Sequence, residues 1–110
     1  MIVEKKLGKI SKVEYGIDPD YGMMMGLRLE FKFPDGGVGD GLKYLNCMLT
    51  EDDPLREDKR LKTLWMNTEF IYILLKEAKV KSVSQLKNMP VEVTLENHVF
   101  KDFRILTEVL

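Results

Sequence analysis

Apolar residues change their spacing along the chain, and each change predicts an element. In KISKVEY (9–15), Ile10, Val13 and Tyr15 alternate with polar neighbours, with one break in phase; GIDPDYG then turns at Gly16, Pro19 and Gly22. MMMGLRLEFKF places Leu27, Leu29, Phe31 and Phe33 on one face and Arg28, Glu30 and Lys32 on the other, the clearest strand pattern in the sequence. Adjacent strand residues face opposite ways, so Met23, Met24 and Met25 cannot all enter one core, and at least one faces the far side of the sheet. After the glycine-rich PDGGVGDG, LKYLNCML closes a three-stranded meander. Thr50 with Asp53 has the spacing of a helix start, which Pro54 and the charge run EDDPLREDKR reduce to a short turn or a helix entry.

From about Lys59 to Lys79 the period lengthens. Leu61, Leu64, Trp65, Thr68, Ile71, Tyr72, Leu75 and Ala78 recur at three- and four-residue steps, which predicts a long helix with a stripe wide enough to cover a sheet. Phe70, Ile73 and Leu74 widen the apolar surface further and predict a contact between subunits. Ser82 and Gln85 have capping-box spacing, so SVSQLKN reads as a short helix ending near Asn88, before Pro90. VEVTLE alternates, the chain turns at Asn97 and His98, and FKDFRILTEVL returns as the second arm of a hairpin. The fold class expected is α+β: one domain over residues 1–110, with an antiparallel sheet made of an N-terminal β-meander and a C-terminal β-hairpin, packed against one long and one short helix.

Composition narrows the function. A chain of this length buries very roughly 65% of its unfolded surface, enough for a core. Seventeen basic and eighteen acidic residues give a net charge of -1, a poor footprint for a nucleic acid polymer but no obstacle to a small anion. One cysteine, Cys47, and one histidine, His98, exclude a disulfide framework and a single-chain Cys/His zinc site. No apolar run approaches the length of a membrane span, and the basic MIVEKKLGKISK lacks the apolar region of a signal peptide, so a cytoplasmic site of action is expected.

Among residues that can carry chemistry, Arg104 stands out. Its bland role is an ion pair with Glu92 or Glu108 on a solvated sheet face. Its sharper role is an anion clamp, since a guanidinium on a rigid strand offers a permanent charge and a planar fork of donors. Asn88 and Met89 lie at the handover from the short helix to VEVTLE, where binding groups often collect. Arg28, Tyr21, Asn97 and Lys101 complete the candidate ligand-binding set. GIDPDYGMMMG and DGGVGDG lack the Lys-Ser or Lys-Thr of a phosphate loop and read as hairpin turns. The carboxylates of EDDPLREDKR read as a solvated face, and His98 has no nucleophile placed beside it, so neither catalysis nor a cofactor is expected.

KISKVEYG, DYGMMMGL, GGVGD, AKVKSV, LKNMPVEVT and FRILTEVL, in that order, resemble a family of small phage and prophage proteins identified with the phage Thoeris anti-defence sponges. The likeness spans nearly the full chain and is weakest over 46–70. The resemblance implies a non-enzymatic homo-oligomer, a dimer or hexamer, acting in the cytoplasm of an infected bacterium. Such a protein sequesters cyclic ADP-ribose isomers and, in some members, cyclic oligonucleotides, in pockets at subunit contacts that use arginine, asparagine and aromatic side chains. Only Arg104, in the closing R-I-L-T-E-V pattern, and Asn88, before P-V-E-V, carry over residue by residue. Asp18, Pro19 and Asp20 depart from the glycines that precede the tyrosine in relatives, which argues against ligand contact by that loop. The alternative expectation is a phage module that inhibits a host or defence protein through its methionines and helix.

Overall fold

The computed structural model describes residues 2–22, 24–36, 38–39, 43–47 and 54–109. The fold is α+β. Among the described residues six strands form one sheet: β1 (Val3–Ile17), β2 (Met24–Lys32), β3 (Val38–Gly39), β4 (Lys43–Cys47), β5 (Pro90–Glu96) and β6 (Val99–Ile105). The order is β3-β2-β1-β5-β6, with β4 also pairing with β2, and every pairing is antiparallel. The meander and the C-terminal hairpin therefore meet along β1. The expected helix start at Thr50 and Asp53, Met23 of the methionine run and part of the glycine-rich turn (37, 40 and 41) lie outside the described residues.

β1 is longer than its apolar pattern. Its second half pairs with β2, its first half with β5, and Lys9 is paired on both sides, opposite Lys32 and Pro90. The first half hides from a periodicity search because its core-side positions are Glu4, Lys6 and Gly8. Lys6 lies 5.2 Å from the centre of the Phe33 ring and its Nζ donates to Asp35 Oδ2 at 3.0 Å, so a cation replaces the aliphatic side chain the pattern requires. The phase break within KISKVEY is a bulge. The register shifts between Ile10 and Lys12, leaving Ser11 as the extra residue, so Ile10 and Val13 both face the core although three residues apart.

Ile10, Leu27, Leu29, Phe31, Phe33, Val91, Val93 and Ile105 bring the inner sheet face together with Leu74, Ala78 and Leu86 in one core. Phe31 stacks on Phe100 at 5.7 Å and meets Phe103 at 5.0 Å, tying the meander to the hairpin. Among the described residues, α1 (Pro54–Ala78) touches this core near its C-terminus, through Leu74 and Ala78 with Ile71 and Leu75 half-buried beside them. Asn67 anchors its middle, donating from Nδ2 to the Leu45 carbonyl and to Asn46 Oδ1, both at 3.0 Å. The helix ends at Lys79, whose φ of 59° and the following Val80 N–H bonded back to the Leu75 carbonyl form a left-handed cap. The Cα radius of gyration is 15.3 Å, against about 13 Å for a compact chain of this length.

Two expected elements are shorter than predicted. The short helix is a single 3-10 turn, Val83–Leu86, closed by the Gln85 Oε1 that accepts from the Lys81 and Ser82 N–H groups at 2.8 and 3.1 Å. The returning strand stops at Ile105 and the chain coils into a second 3-10 turn, Thr107–Val109, so Thr107 and Glu108 are not strand residues. No helix among the described residues is long and apolar enough to cross a membrane.

Candidate functional site

Sheet register arranges the outer face, the one turned from the core, into rows. One row runs Lys32, Lys9 and Pro90; the next, about 7 Å along the strands, runs Leu7, Glu92 and Arg104. β2 ends at Lys32 and turns away through Pro34–Gly36, closed by the Gly36 N–H on the Phe33 carbonyl, and this leaves a notch beside the first half of β1. A groove of about 520 Å³ occupies the notch. It is lined by Leu7, Gly8 and Lys9 of β1, by Lys32, Phe33, Pro34 and Gly36, and by Pro90 and Leu106 of the C-terminal hairpin. Its volume and apolar walls with a few polar groups match a small-molecule site.

The two lysines carry the electrostatics of this groove. Like charges directly opposite on neighbouring strands destabilise a sheet. Among the described residues, Lys12 and Arg28 are matched with Glu14 at 3.2 Å each, Lys5 with Glu92 at 3.9 Å, and Lys101 with Glu96. Lys9 and Lys32, both exposed, make no ion pair among the described residues. They therefore present two adjacent positive charges over an apolar cleft, an arrangement that a bridging anion stabilises. Among the described residues no cluster of His, Cys, Asp or Glu is placed to hold a metal.

Arg104 makes both of the pairs its bland role allows. Its Nε donates to Glu92 Oε1 at 3.2 Å, and its NH1 and NH2 donate to the two Glu108 oxygens at 3.3 and 3.1 Å. Those bonds, Glu108 first and Glu92 second, raise the arginine pKa, and the Arg104 fork holds the Glu108 carboxyl below the usual glutamate range. The guanidinium is half exposed, one row from Lys9, and on the other side of its strand residues 102–105 and α1 border a crevice of about 110 Å³.

The other candidate residues are spread out. Asn88 and Met89 sit beside the groove's Pro90, where Asn88 N–H donates to the Ile10 carbonyl at 2.7 Å and the Met89 carbonyl accepts from Ile10 N–H at 3.0 Å. Asn88 has a φ of 70°, so its backbone bridges the end of β5 to β1. Asn97 forms the opposite end of the hairpin, seven residues from Pro90 and so about 23 Å away; its Oδ1 accepts from Ile2 N–H at 3.1 Å and pins the start of β1. Lys101 pairs with Glu96 close to that end. Arg28 lies toward the far end of β2, held by Glu14 at 3.2 Å and by the buried Asp18 at 3.6 Å, while Asp18 Oδ2 accepts from the N–H groups of Asp20 and Tyr21. Asp18 is thus the organiser of the first turn, and Tyr21 projects into solvent from it. Arg104, Asn88 and Met89 share the groove's end of the sheet; the other four do not.

Lys9, Lys32, Leu7 and Leu106 escape a motif search because none is unusual alone. What makes them a site is that Lys9 falls opposite Lys32, and that pairing depends on the Ser11 bulge, which shifts the count by one. The phase break in KISKVEY is the only trace of it in the sequence. Comparison of the chain with protein-family models, with curated proteins and with solved structures finds no match in any of the three.

Proposed function

We propose that this protein is a non-catalytic binder that sequesters a small phosphorylated ligand, of the cyclic ADP-ribose or cyclic oligonucleotide class, in the groove over Lys9 and Lys32. The observation that carries the proposal is the facing lysine pair, without an ion pair among the described residues, above apolar walls of ligand-sized volume. Two ammonium groups suit a diphosphate, and Leu7, Phe33, Pro34 and Leu106 suit the flat, weakly polar remainder of a nucleotide. A near-neutral chain fits a small anion because binding then rests on a few local donors. The phage anti-defence resemblance points to the same ligand class, although it singles out Arg104 rather than the lysines.

Isothermal titration with cyclic ADP-ribose isomers and cyclic dinucleotides, with pyrophosphate as the anion-only control, tests the proposal. A nucleotide is expected to bind, to raise the melting temperature in proportion to ligand excess, and to be recovered intact after heat denaturation of the complex. Lys9→Gln and Lys32→Gln each remove one charge-assisted contact and are expected to weaken binding about tenfold or more. Absence of heat with every nucleotide, or binding untouched by both substitutions, overturns it.

A further inference from the structure

An unclaimed apolar surface lies on α1. Leu61, Trp65, Thr68 and Tyr72 succeed one another at steps of four, three and four, the spacing of a coiled-coil seam. They lie about 100° around the helix from the Asn67, Ile71 and Ala78 line that meets the core. Leu61, Trp65 and Tyr72 are 58%, 67% and 61% exposed, although the sequence spends its largest apolar side chains there.

We propose that this seam is a contact with a second copy of the chain, the two helices running antiparallel about a twofold axis between Trp65 and Thr68. Leu61 then meets Tyr72 of the copy, and Trp65 meets Thr68. Area is the first argument. The exposed parts of Leu61, Leu64, Trp65 and Tyr72 offer on the order of 400–500 Å² per chain, so two copies reach about 1,000 Å², the size at which an interface becomes specific. Charge is the second. Beyond Trp65, on the border away from the sheet, the helix carries Asp58, Lys62, Glu69 and Lys76, alternating in sign. Reversing the helix about that axis sets Asp58 against Lys76 of the copy and Lys62 against Glu69, each pair opposite in sign. A parallel pairing puts this border on opposite sides of the two helices, so these four charges do not meet. All four are exposed, and none makes an ion pair among the described residues. A surface whose charge pattern complements its own reversal fits itself better than it fits a partner of arbitrary sequence. The inference does not rest on the ligand proposed above.

Sedimentation equilibrium of the full chain tests it. The wild type is expected to be a dimer in the micromolar range, and Trp65→Lys to be a monomer with unchanged circular dichroism. Lys62→Glu and Glu69→Lys each turn two symmetry-related attractive pairs repulsive and are expected to raise the dimer Kd about tenfold. The double exchange, Lys62→Glu with Glu69→Lys, restores opposite signs and is expected to bring the dimer back. A wild type that stays monomeric up to about 100 µM overturns the inference, since that concentration populates any interface of useful strength. So does a dimer that ignores Trp65→Lys, or one that the single charge changes leave alone.

Discussion

Gly8 leaves no room for a β-carbon. A β-carbon built there lies 2.6 Å from the Lys32 carbonyl oxygen and 2.8 Å from Phe33 Cδ1. An ordinary carbon–oxygen contact needs about 3.3 Å, so one strand has to move by roughly 0.7 Å. The obstacle is backbone, and no rotamer change relieves it. Moving Lys32 strains the last rung between β1 and β2, and moving Gly8 strains its rung to Val91. Overpacking of this kind costs about 1–3 kcal/mol, and a backbone clash belongs at the upper end. Against it stands the entropy gained by replacing a strand glycine with alanine, about 0.5–1 kcal/mol. The clash wins, and Gly8→Ala is expected to destabilise by about 2 kcal/mol, lowering the melting temperature by about 10 °C.

Urea denaturation measures this directly, as a lower midpoint at an unchanged slope. The internal control is Gly16→Ala on the same strand, where a β-carbon meets nothing within 4 Å. That variant gains the entropy without the clash and is expected to be as stable as wild type or slightly more so, by up to about 0.5–1 kcal/mol. If Gly8→Ala matched Gly16→Ala, the close approach of β1 to the end of β2, and with it the shape of the groove wall at Phe33, would be refuted.

Three further outcomes are expected. His98 has a φ of 65° in the two-residue turn with Asn97, so His98→Gly removes a left-handed strain and stabilises the hairpin by about 1 kcal/mol, read as a rise in urea midpoint. Asn67→Ala removes both bonds that hold the middle of α1 to β4 and leaves the buried Asn46 amide short of a partner; a loss of about 1–3 kcal/mol is expected, read by the same denaturation. Glu108 titrates below an ordinary glutamate because Arg104 donates to it, so the tie between β6 and the last turn is complete above the ordinary glutamate pKa and disappears as pH falls through the lowered one. Carboxyl carbon NMR is expected to show that low midpoint, and Arg104→Gln to move it up toward the ordinary value.

The inner face was legible where side chains alternate strictly. Leu27, Leu29, Phe31 and Phe33 are all buried, as are Val91 and Val93, because a sheet covered on one face imposes period two. Legibility failed where a different interaction takes the place of apolar burial: the first half of β1 is held by backbone pairing and a lysine over Phe33, and residues 107–109 coil because Glu108 folds back to Arg104 at a helical spacing. The width of the α1 stripe was legible too, but not its use. Pattern shows that Trp65 and Tyr72 belong on a contact surface; only the packing shows that the sheet does not supply it. The groove required register, which no single segment contains.

Arg104 is best understood through its two carboxylates. An anion approaching the guanidinium has to displace Glu92 and Glu108, whereas no carboxylate among the described residues pairs with Lys9 or Lys32. The arginine still bears on the groove. Between Arg104 and Glu108 lies Leu106, whose N–H donates to the Pro90 carbonyl at 3.0 Å and whose side chain lines the cleft. By closing the last turn back onto β6, Arg104 fixes that wall. Neutralising Glu92 also keeps a carboxylate in the adjacent row from cancelling the field of the lysines. A fixed cation in the last strand thus braces the wall of the proposed anion site one row away, so its loss is expected to loosen the groove and weaken the proposed binding there while leaving the lysine pair itself in place.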